Sequence, residues 1–458
     1  MLAMTVSFTP ALANGQGWTW WNTIDHGAPV ATDPPSTQWL SSPPAPMPAP
    51  KGTLPNATSS ADKLTLEAAV QRGLADNPAV RAALADVKSA STEVDIAEWG
   101  YFPEVDLSAG PEELPFSEFG YDASARQTLY DWGRIDSRVE SANASEREAR
   151  QALEVAVEEA ALDIADVYLD ALAAKRRLEL AQTYVDDLEK LARLTWDRGS
   201  SGYTDRSEQG RIALDLAQAR DELATERGEL NDARHQFRVL VGVAPLDLEL
   251  PDPVALTDRL DDDATLNEWI VHAPAYRQTV AVADQAQAEL EESRATLKPQ
   301  LNLEGSLQRR QIGGDLQSDS VIGLRLRMDT LQGLANFHRP EAARQRLEVA
   351  RYRIDDQRRE IRRSVLTLIE NTEVYRQRQQ ALKEQVQQAQ AVSELYTEQF
   401  SVALRDINDL LTIRQEEFSA RRQLIDIAIQ QKRMQYRAAS QLGLIKPLIA
   451  GSLRKETP

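Results

Sequence analysis

Polar and apolar residues alternate in Gln300-Leu-Asn-Leu-Glu-Gly-Ser-Leu307 and again in Ile322-Gly-Leu-Arg-Leu-Arg-Met-Asp329. A period of two predicts β-strands with one apolar face and one polar face. The run from Glu104 to Ala109 alternates in the same way, and the run from Tyr121 to Tyr130 does so more weakly because Gln127 interrupts its apolar side. Four such strands suit a sheet with lipid on one face and a water-filled lumen on the other. A half-buried sheet of a soluble protein would show the same alternation.

The polar face of this predicted sheet carries the residues that we expect to line the lumen: Glu304, Arg325, Arg327 and Asp329. The polar or Gly/Pro-rich segments 110–120 and 309–320 join the strand pairs, as the outer loops of a barrel would. Four strands cannot close a membrane barrel, because the smallest barrels need about eight strands and an open edge is not tolerated in lipid. Strands that span a membrane therefore predict that several chains share one barrel.

Aromatic residues cluster where the first strand pair meets its helices: Trp99, Tyr101, Phe102, Tyr130 and Trp132. All of them belong to the same end of the first hairpin, as in an interfacial aromatic girdle. Packing in a protein core is the alternative, and the second hairpin has no comparable cluster.

Long helices are predicted on both sides of the strands. Ile354, Ile361, Leu368, Tyr375 and Leu382 recur every seven residues, which is typical of coiled-coil packing. The sixty or so residues around this stripe would span about 90 Å as a helix. Further helices are predicted over about 65–100, with a break at Asn77-Pro78, and over about 135–198 and 204–240.

The chain is internally duplicated. At an offset of 196 Pro78 matches Pro274, and at an offset of 201 Gly242 matches Gly443. We therefore predict two repeats, each with a helix, a β-hairpin, a long helix and a further helix. The predicted boundaries are 62–245 for the first repeat, 246–262 for a linker, 263–445 for the second repeat and 446–458 for a C-terminal tail.

Two segments precede the repeats. Residues 1–13 contain an apolar stretch ending in Thr-Pro-Ala-Leu-Ala, which resembles a signal-peptide remnant and predicts export. Residues 14–61 are rich in proline and tryptophan, with Trp18, Trp20 and Trp21 among them, and are predicted to be extended. These tryptophans could dock onto the rest of the protein, or the segment could be a loose N-terminus.

Composition excludes several functions. The formal net charge of −19 argues against a partner such as nucleic acid; it fits a solvated acidic surface or an acidic lumen that favours cations. No cysteine is present, which excludes disulfides, thiolate metal sites and cysteine nucleophiles. No apolar run of about 18 residues is present, so no transmembrane helix is predicted.

The sequence offers no pattern for catalysis. The 4 histidines are His26, His235, His272 and His338, and their separation gives no metal-ligand spacing. Neither a G-x-G-x-x-G loop, nor a phosphate-binding loop, nor a nucleophile elbow is present. We therefore predict a protein that is not an enzyme and that holds no cofactor and no metal.

Several motifs in combination resemble the TolC-like outer-membrane efflux and type I secretion channel family. Leu64-Thr-Leu-Glu-Ala-Ala-Val70 and Asn77-Pro78 are similar to the first helix of that family. Residues 101–107 and 129–134 resemble the helix–strand junctions of that family. Residues 199–205 and 400–411 resemble the two turns at the inner end of its tunnel. The resemblance covers about 62–445.

This resemblance implies a fold that is mostly α with a small β part. It implies a homotrimer in which four strands per chain build a transmembrane β-barrel in the outer membrane of a Gram-negative bacterium, while a long α-helical barrel extends into the periplasm. The implied partners are outer-membrane lipid, a periplasmic membrane-fusion adaptor and an inner-membrane transporter, either ABC or proton-driven. Such a duct passes protein or small-molecule cargo and performs no chemistry.

The resemblance also implies a gate at the inner end of the tunnel. By motif, Asp409 matches an acidic ring residue, Arg405 matches a linking arginine, and Thr204 and Asp205 match the partner turn. Thr412 stands where similar proteins have a second aspartate, which argues against a double acidic ring. Like charges on a symmetry axis repel each other and attract cations, and arginine–aspartate links could latch a bistable helix pair. Helix capping is the alternative role for Asp205, and also for Asp406.

Other functions remain open at the level of sequence. Multidrug efflux is the alternative to protein secretion; we lean toward secretion because efflux members usually carry a lipidated N-terminal cysteine. An acidic coiled-coil scaffold explains the heptads and the charge but not the duplicated amphipathic hairpins. A periplasmic adaptor would need a glycine-rich β-domain between its helices, and none is visible.

Overall fold

The computed structural model describes residues 64–111, 119–200, 206–245, 247–251, 256, 262–312, 315–328, 334–402 and 404–449. The predicted signal-peptide remnant 1–13 and the proline- and tryptophan-rich segment 14–61 lie outside the described residues. Among the described residues, no helix is both long enough and apolar enough to cross a membrane.

The described part of the chain begins with two short helices. Helix α1 is Leu66–Asp76 and helix α2 is Pro78–Glu98, followed by a 3₁₀ turn, Trp99–Tyr101. The break lies at Asn77, as predicted: its side chain accepts the backbone N–H groups of Ala79 and Val80, at 2.9 and 3.1 Å. Asparagine caps a helix well and proline is pre-organised for the first helical position. One helix therefore stops and the next starts within a single residue.

Four strands form one antiparallel sheet in the order β1-β2-β3-β4. They are β1, Glu104–Pro111, β2, Phe119–Tyr130, β3, Gln300–Ile312, and β4, Asp315–Arg327. The prediction of a loop over 309–320 was wrong, because β3 and β4 stay paired out to Ile312 and Asp315. Polar residues on both faces hid this part of the hairpin from an alternation pattern.

Long helices follow each hairpin. The remaining elements are helices α3, Arg134–Ser200, α4, Arg206–Val241, α5, Asp263–His272, and α6, Pro274–Ala295, then a 3₁₀ turn, Leu334–His338, and helices α7, Arg339–Ser401, α8, Ile407–Gln441, and α9, Ile445–Ile449. Helix α3 has 67 residues and α7 has 63, so each is about 100 Å long. The order of two helices, two strands and two long helices occurs twice, and the prediction of a mostly α fold with a small β part is confirmed.

The heptad stripe of α7 packs inward. Ile361 and Val365 are fully buried, and Thr372 and Leu382 are buried further along the same face. Ile361 and Val365 belong to the largest apolar core, and α7 contacts both α6 and α8. Burial at this spacing is therefore the result of lateral helix packing.

The largest apolar core lies where α1, α3, α4, α5, α7, α8 and α9 meet. Tyr168 of α3 is buried at its centre, and its hydroxyl oxygen lies 2.8 Å from the carbonyl oxygen of Leu64 and 2.6 Å from that of Glu249. The Glu249 N–H donates to the same hydroxyl. Leu64 and Leu248 form a parallel β-bridge beside it. One buried tyrosine thus ties the start of the first repeat and the segment after it to α3.

A group of ion pairs joins the two repeats inside the helical part. Glu226 of α4 is fully buried; one of its carboxylate oxygens accepts from Arg177 of α3 at 3.1 Å, and the other forms an ion pair with Arg422 of α8 at 3.0 Å. Arg177 also binds Asp426 of α8 at 2.9 Å. Burial raises the pKa of Glu226, although the two arginines lower it. The three helices are held in register by charges that one chain supplies to itself.

Candidate functional site

The sheet has one apolar face whose large side chains are exposed. Its members alternate along the strands and pair across them, as Leu303 does with Leu324 and Leu301 with Leu326. Leu107 is 79% exposed and Ile322 is 83% exposed. A soluble monomer rarely leaves so continuous an apolar surface in water. This apolar face is the surface that the alternation predicted for lipid.

The opposite, polar face carries a row of alternating charges across all four strands. Arg126 of β2 binds Glu104 of β1 and Glu304 of β3, each at 3.3 Å, and Arg325 of β4 binds Glu304 at 3.1 Å. Glu304 lies opposite Gly323, and Arg325, two residues further along β4, reaches back to it on the same face. The row is neutral overall and stays in contact with water.

The predicted lumen residues are thus distributed as follows. Glu304 and Arg325 lie on the polar face and bind each other, and Arg327 lies two residues further along the same face. Asp329 lies outside the described residues and beyond the end of β4. Asn302 on this face was not singled out by the sequence: it is fully buried, and both polar atoms of its side chain lack a hydrogen-bond partner among the described residues. Nothing in the alternation distinguishes it from its polar neighbours.

The aromatic residues lie at the helical end of the sheet, and none of them is buried in the single chain. The rings of Trp99 and Phe102 are tilted by 47° with centroids 5.3 Å apart, and those of Tyr130 and Trp132 meet edge to face at 5.0 Å. The Tyr101 hydroxyl donates to Asp136 at 2.6 Å. Their contact with a membrane interface stays a prediction.

Trp132 connects the two hairpins. Its backbone φ is 63°, a left-handed conformation that costs a residue other than glycine about 1–2 kcal/mol. Its indole N–H donates to the Pro299 carbonyl at 2.9 Å, and the Lys298 ammonium lies 4.9 Å from its ring centroid. These contacts offset the strain and hold the end of β2 against the start of β3.

At the other end of the long helices, a second apolar core joins α3, α4, α7 and α8. We call it the helix-end cluster: Val185, Leu188, Leu191, Ile212, Ala219, Phe400, Ile407, Leu410 and Leu411. Arg198 near the end of α3 donates to the Phe400 carbonyl at 2.7 Å and lies 4.2 Å from the centroid of its ring. The sequence analysis missed Arg198, since a basic residue in the last turn of a helix is common.

Arg405 lies beside this cluster and is held within its own segment. It donates to Asp409 at 3.0 Å and to Gln399 at 3.3 Å, and its guanidinium carbon lies 4.0 Å from the ring centroid of Tyr396. Asp409 therefore carries a fixed cation one helical turn away. The partner turn with Thr204 and Asp205 lies outside the described residues.

Two neighbouring polar residues have local roles. Asp406 caps α8 by accepting the Asn408 N–H at 2.7 Å, which is the capping role considered for it from sequence. The Thr412 hydroxyl donates to the Asn408 carbonyl at 2.8 Å. Within the described residues, no group of three or more histidines and carboxylates is placed to hold a metal ion.

A duplicated chain with long unbroken helices and a small sheet, apolar outside and charged on its other face, is typical of an outer-membrane channel subunit. The chain belongs to the outer membrane efflux protein family, whose pattern matches residues 69–243 and 265–443. This confirms the sequence-based assignment to a family of outer-membrane channels rather than enzymes.

Among curated proteins, the chain is similar to Protein CyaE of Bordetella pertussis, with 26% identity over 302 residues, covering 62% of this chain and 64% of that protein. The chain thus matches slightly less than two thirds of the length of that relative.

Solved structures show the same fold. The outer-membrane channel OprN is 20% identical, with a TM-score of 0.72, over 83% of this chain and 90% of that chain. VceC, an outer membrane protein of Vibrio cholerae, is 14% identical, with a TM-score of 0.72, over 83% of this chain and 96% of that chain.

Proposed function

We propose that this chain is one subunit of a homotrimeric export duct. In this proposal the sheets of three copies form one transmembrane β-barrel, and the long helices form a tunnel in the periplasm. The observation that carries it is the exposed apolar face of the sheet, which includes Leu107, Ile322 and Leu324. Lipid is the medium in which such a face costs no free energy.

The open edges of the sheet support the need for several copies. In the order β1-β2-β3-β4, strands β1 and β4 each have one edge unpaired among the described residues. Backbone groups on an open edge lack hydrogen-bond partners in lipid, at a cost of several kcal/mol each. Joining β4 of one copy to β1 of the next removes both edges, and three copies supply enough strands for a barrel with a water-filled lumen.

Other proteins would supply the energy for transport and deliver the cargo to the duct. We propose a periplasmic membrane-fusion adaptor and an inner-membrane transporter, ABC or proton-driven, as partners at the helix-end cluster. Support for this is the family assignment together with long helices of about 100 Å, enough to cover much of the distance from one membrane to the other. Protein cargo stays a prediction, with small-molecule efflux as its alternative.

The duct proposal is tested with purified protein in detergent and in planar lipid bilayers. We expect a trimeric mass by light scattering and stepwise conductance after addition to the bilayer. Heat-denatured protein is the control for nonspecific leakage. A monomer that stays in solution without detergent and gives no conductance would contradict the proposal and favour the coiled-coil scaffold.

We also propose that Arg405 and Asp409 help to hold the inner end closed. The position of Arg405 beside the helix-end cluster supports this; among the described residues of the single chain it pairs only locally, with Asp409 at 3.0 Å. Because the latch would join this segment to the turn around residue 205, Arg405→Ala combined with Asp205→Ala should raise single-channel conductance. Arg363→Ala, which removes an exposed arginine paired one turn away with Glu360 on α7, is the control and should leave conductance unchanged. Equal conductance in all three proteins would remove the latch.

A further inference from the structure

The two unpaired edges of the sheet carry opposite charges. On the polar face near the helical end, β4 presents Arg325 and Arg327, whereas β1 presents Glu104 and Asp106. The side chains of Arg325 and Glu104 are each 67% exposed, although both take part in the charge row. Asp106 and Arg327 form no ion pair with any residue in the described part of the chain. The β4 edge is therefore basic and the β1 edge is acidic. Each edge carries a charged side chain without an ion-pair partner in the described part of the chain.

Face alignment restricts how β4 of one copy can pair with β1 of the next. A shift by one residue would turn the apolar face of one copy toward the lumen. Arg325 and Arg327 must therefore lie opposite polar-face positions of β1, namely Glu104, Asp106 or Ser108, and never opposite Val105 or Leu107.

Barrel geometry further restricts the stagger, which is the number of residues by which the next copy's β1 is displaced along β4. Strands of membrane barrels tilt by about 35–45°. Crossing four strands spaced about 4.8 Å apart at this tilt displaces the pairing by about 4–6 residues at 3.3 Å each. Only even displacements keep the faces aligned, which leaves four or six residues.

The direction of the stagger is visible within one chain. Glu104, the first residue of β1, pairs with Arg126 of β2, which pairs with Glu304 of β3. Glu304 in turn pairs with Gly323 of β4, so this row of directly opposed residues ends at Gly323. Strand β4 continues past Gly323 toward the helices and ends at Arg327. The next copy's β1 must begin beyond Gly323 in the same direction. A stagger of four places its Asp106 opposite Arg325, and a stagger of six places Asp106 opposite Arg327.

We propose that neighbouring copies join through an ion-pair seam in which Asp106 of one copy binds Arg325 or Arg327 of the next, with Glu104 beside it. The inference rests on the proposed trimeric barrel and adds which edges meet, at which register and through which side chains. Three such seams would connect the charge rows of the three copies. Negative and positive side chains would then alternate around the whole lumen. Charges of one sign at both edges would instead repel.

Disulfide trapping tests the seam directly, because the chain contains no cysteine. Directly opposed residues on antiparallel strands have Cα atoms about 4.5–5.5 Å apart, within reach of a disulfide. Under mild oxidation, Asp106→Cys with either Arg325→Cys or Arg327→Cys should give covalent dimers and trimers on non-reducing gels. Leu107→Cys with Arg327→Cys places the two thiols on opposite faces and should give none.

A charge exchange gives an independent readout. Asp106→Arg should lower the fraction of trimer in detergent at least several-fold. Combining it with Arg325→Asp or Arg327→Asp, whichever of the two positions cross-links to residue 106, should restore most of it. A trimeric protein in which neither cysteine pair cross-links and Asp106→Arg is harmless would overturn the seam but leave the duct. A wild-type protein that is monomeric in detergent would overturn the trimeric duct itself.

Discussion

The sheet and the helical body solve the same problem of satisfying charges and apolar surface in different ways. In the helical body, buried Glu226 finds Arg177 and Arg422 within its own chain, and Phe237 and Tyr168 are buried in its core. In the sheet, large apolar side chains such as Ile322 are exposed and two edges are unpaired. These buried groups of the body find their partners within one chain, whereas in the proposed duct the sheet depends on lipid and on other copies. Four predictions probe this contrast.

The largest effect is expected on the apolar face of the sheet. Ile322→Arg places a charge near the middle of β4 on the face assigned to lipid, which costs about 2–4 kcal/mol per copy at the bilayer midplane. We expect loss of heat-resistant trimer from outer-membrane fractions. Val321→Arg, on the neighbouring residue and the opposite face, should be tolerated. Equal damage by both variants would contradict the two-faced sheet.

The next effect tests the self-sufficiency of the helical body. Glu226→Ala removes the shared partner of Arg177 and Arg422, and should lower the free energy of unfolding by about 2–3 kcal/mol. This is less than the 3–5 kcal/mol typical of a broken buried pair, because both arginines keep other carboxylate partners. Glu229→Ala, a half-exposed partner of the same Arg177, should cost about 1 kcal/mol or less. Thermal unfolding of the helices by circular dichroism measures both.

A third prediction concerns pH in the helical body. Glu158 is 4% exposed and accepts the backbone N–H of Ile445 at 2.9 Å. Burial raises the pKa of Glu158 from 4.5 to about 7. Hydrogen bonds from the backbone N–H groups of Ile445 and Lys446 and the charge of Lys446 lower this pKa, and the charge of Glu154 raises it. A raised carboxyl pKa means that the folded state binds the proton more tightly than the unfolded state.

The stabilisation from Glu158 is therefore present below pH 4.5 and is lost as the pH rises through about 7. Glu158→Gln should remove this pH dependence and raise the free energy of unfolding at pH 8 by at most about 3 kcal/mol relative to wild type. Because glutamine can still accept the Ile445 N–H, the comparison isolates the charge. Parallel stability profiles of the two proteins between pH 5 and 8 would contradict this role.

The smallest expected effect separates capping from gating at the helix-end cluster. Asp406→Ala should lower stability by about 1 kcal/mol because it removes the cap of α8. Asp406→Asn keeps an oxygen that can accept the Asn408 N–H and should restore stability. If the two variants are equally stable, capping does not account for this residue.

The sequence was informative wherever a single element determines its own structure. The Asn77-Pro78 break, the heptad stripe through Ile361 and the alternation around Leu324 all follow from local periodicity or capping, and the fold class follows from them. The paired charges of the helical body could not be found in this way. Arg177 meets Asp426 across 249 positions of sequence, and no local pattern distinguishes these residues from other charges on a helix surface.

The candidate site divides along the same line. The predicted lumen residues Glu304 and Arg325 were visible because alternation fixes their face, but their direct contact depends on the register between β3 and β4, which the sequence alone does not fix. The helix-end residues Arg405 and Asp409 were identified by resemblance, and their contact across one helical turn is a local pairing that their spacing allows. Arg198 was missed because its partner, Phe400, lies on a helix distant in sequence. Asn302 was missed because its burial depends on elements distant in sequence.

Helix α3 runs for 67 residues without interruption from the junction beside Trp132 to Arg198 near Phe400. A rod of about 100 Å acts as a lever. Tilting it by only three degrees about its sheet end would move its far end by about 5 Å, close to the rise of one helical turn. Anchoring at the junction therefore sets how finely movements at the opposite end can be controlled, even though the two places share no contact.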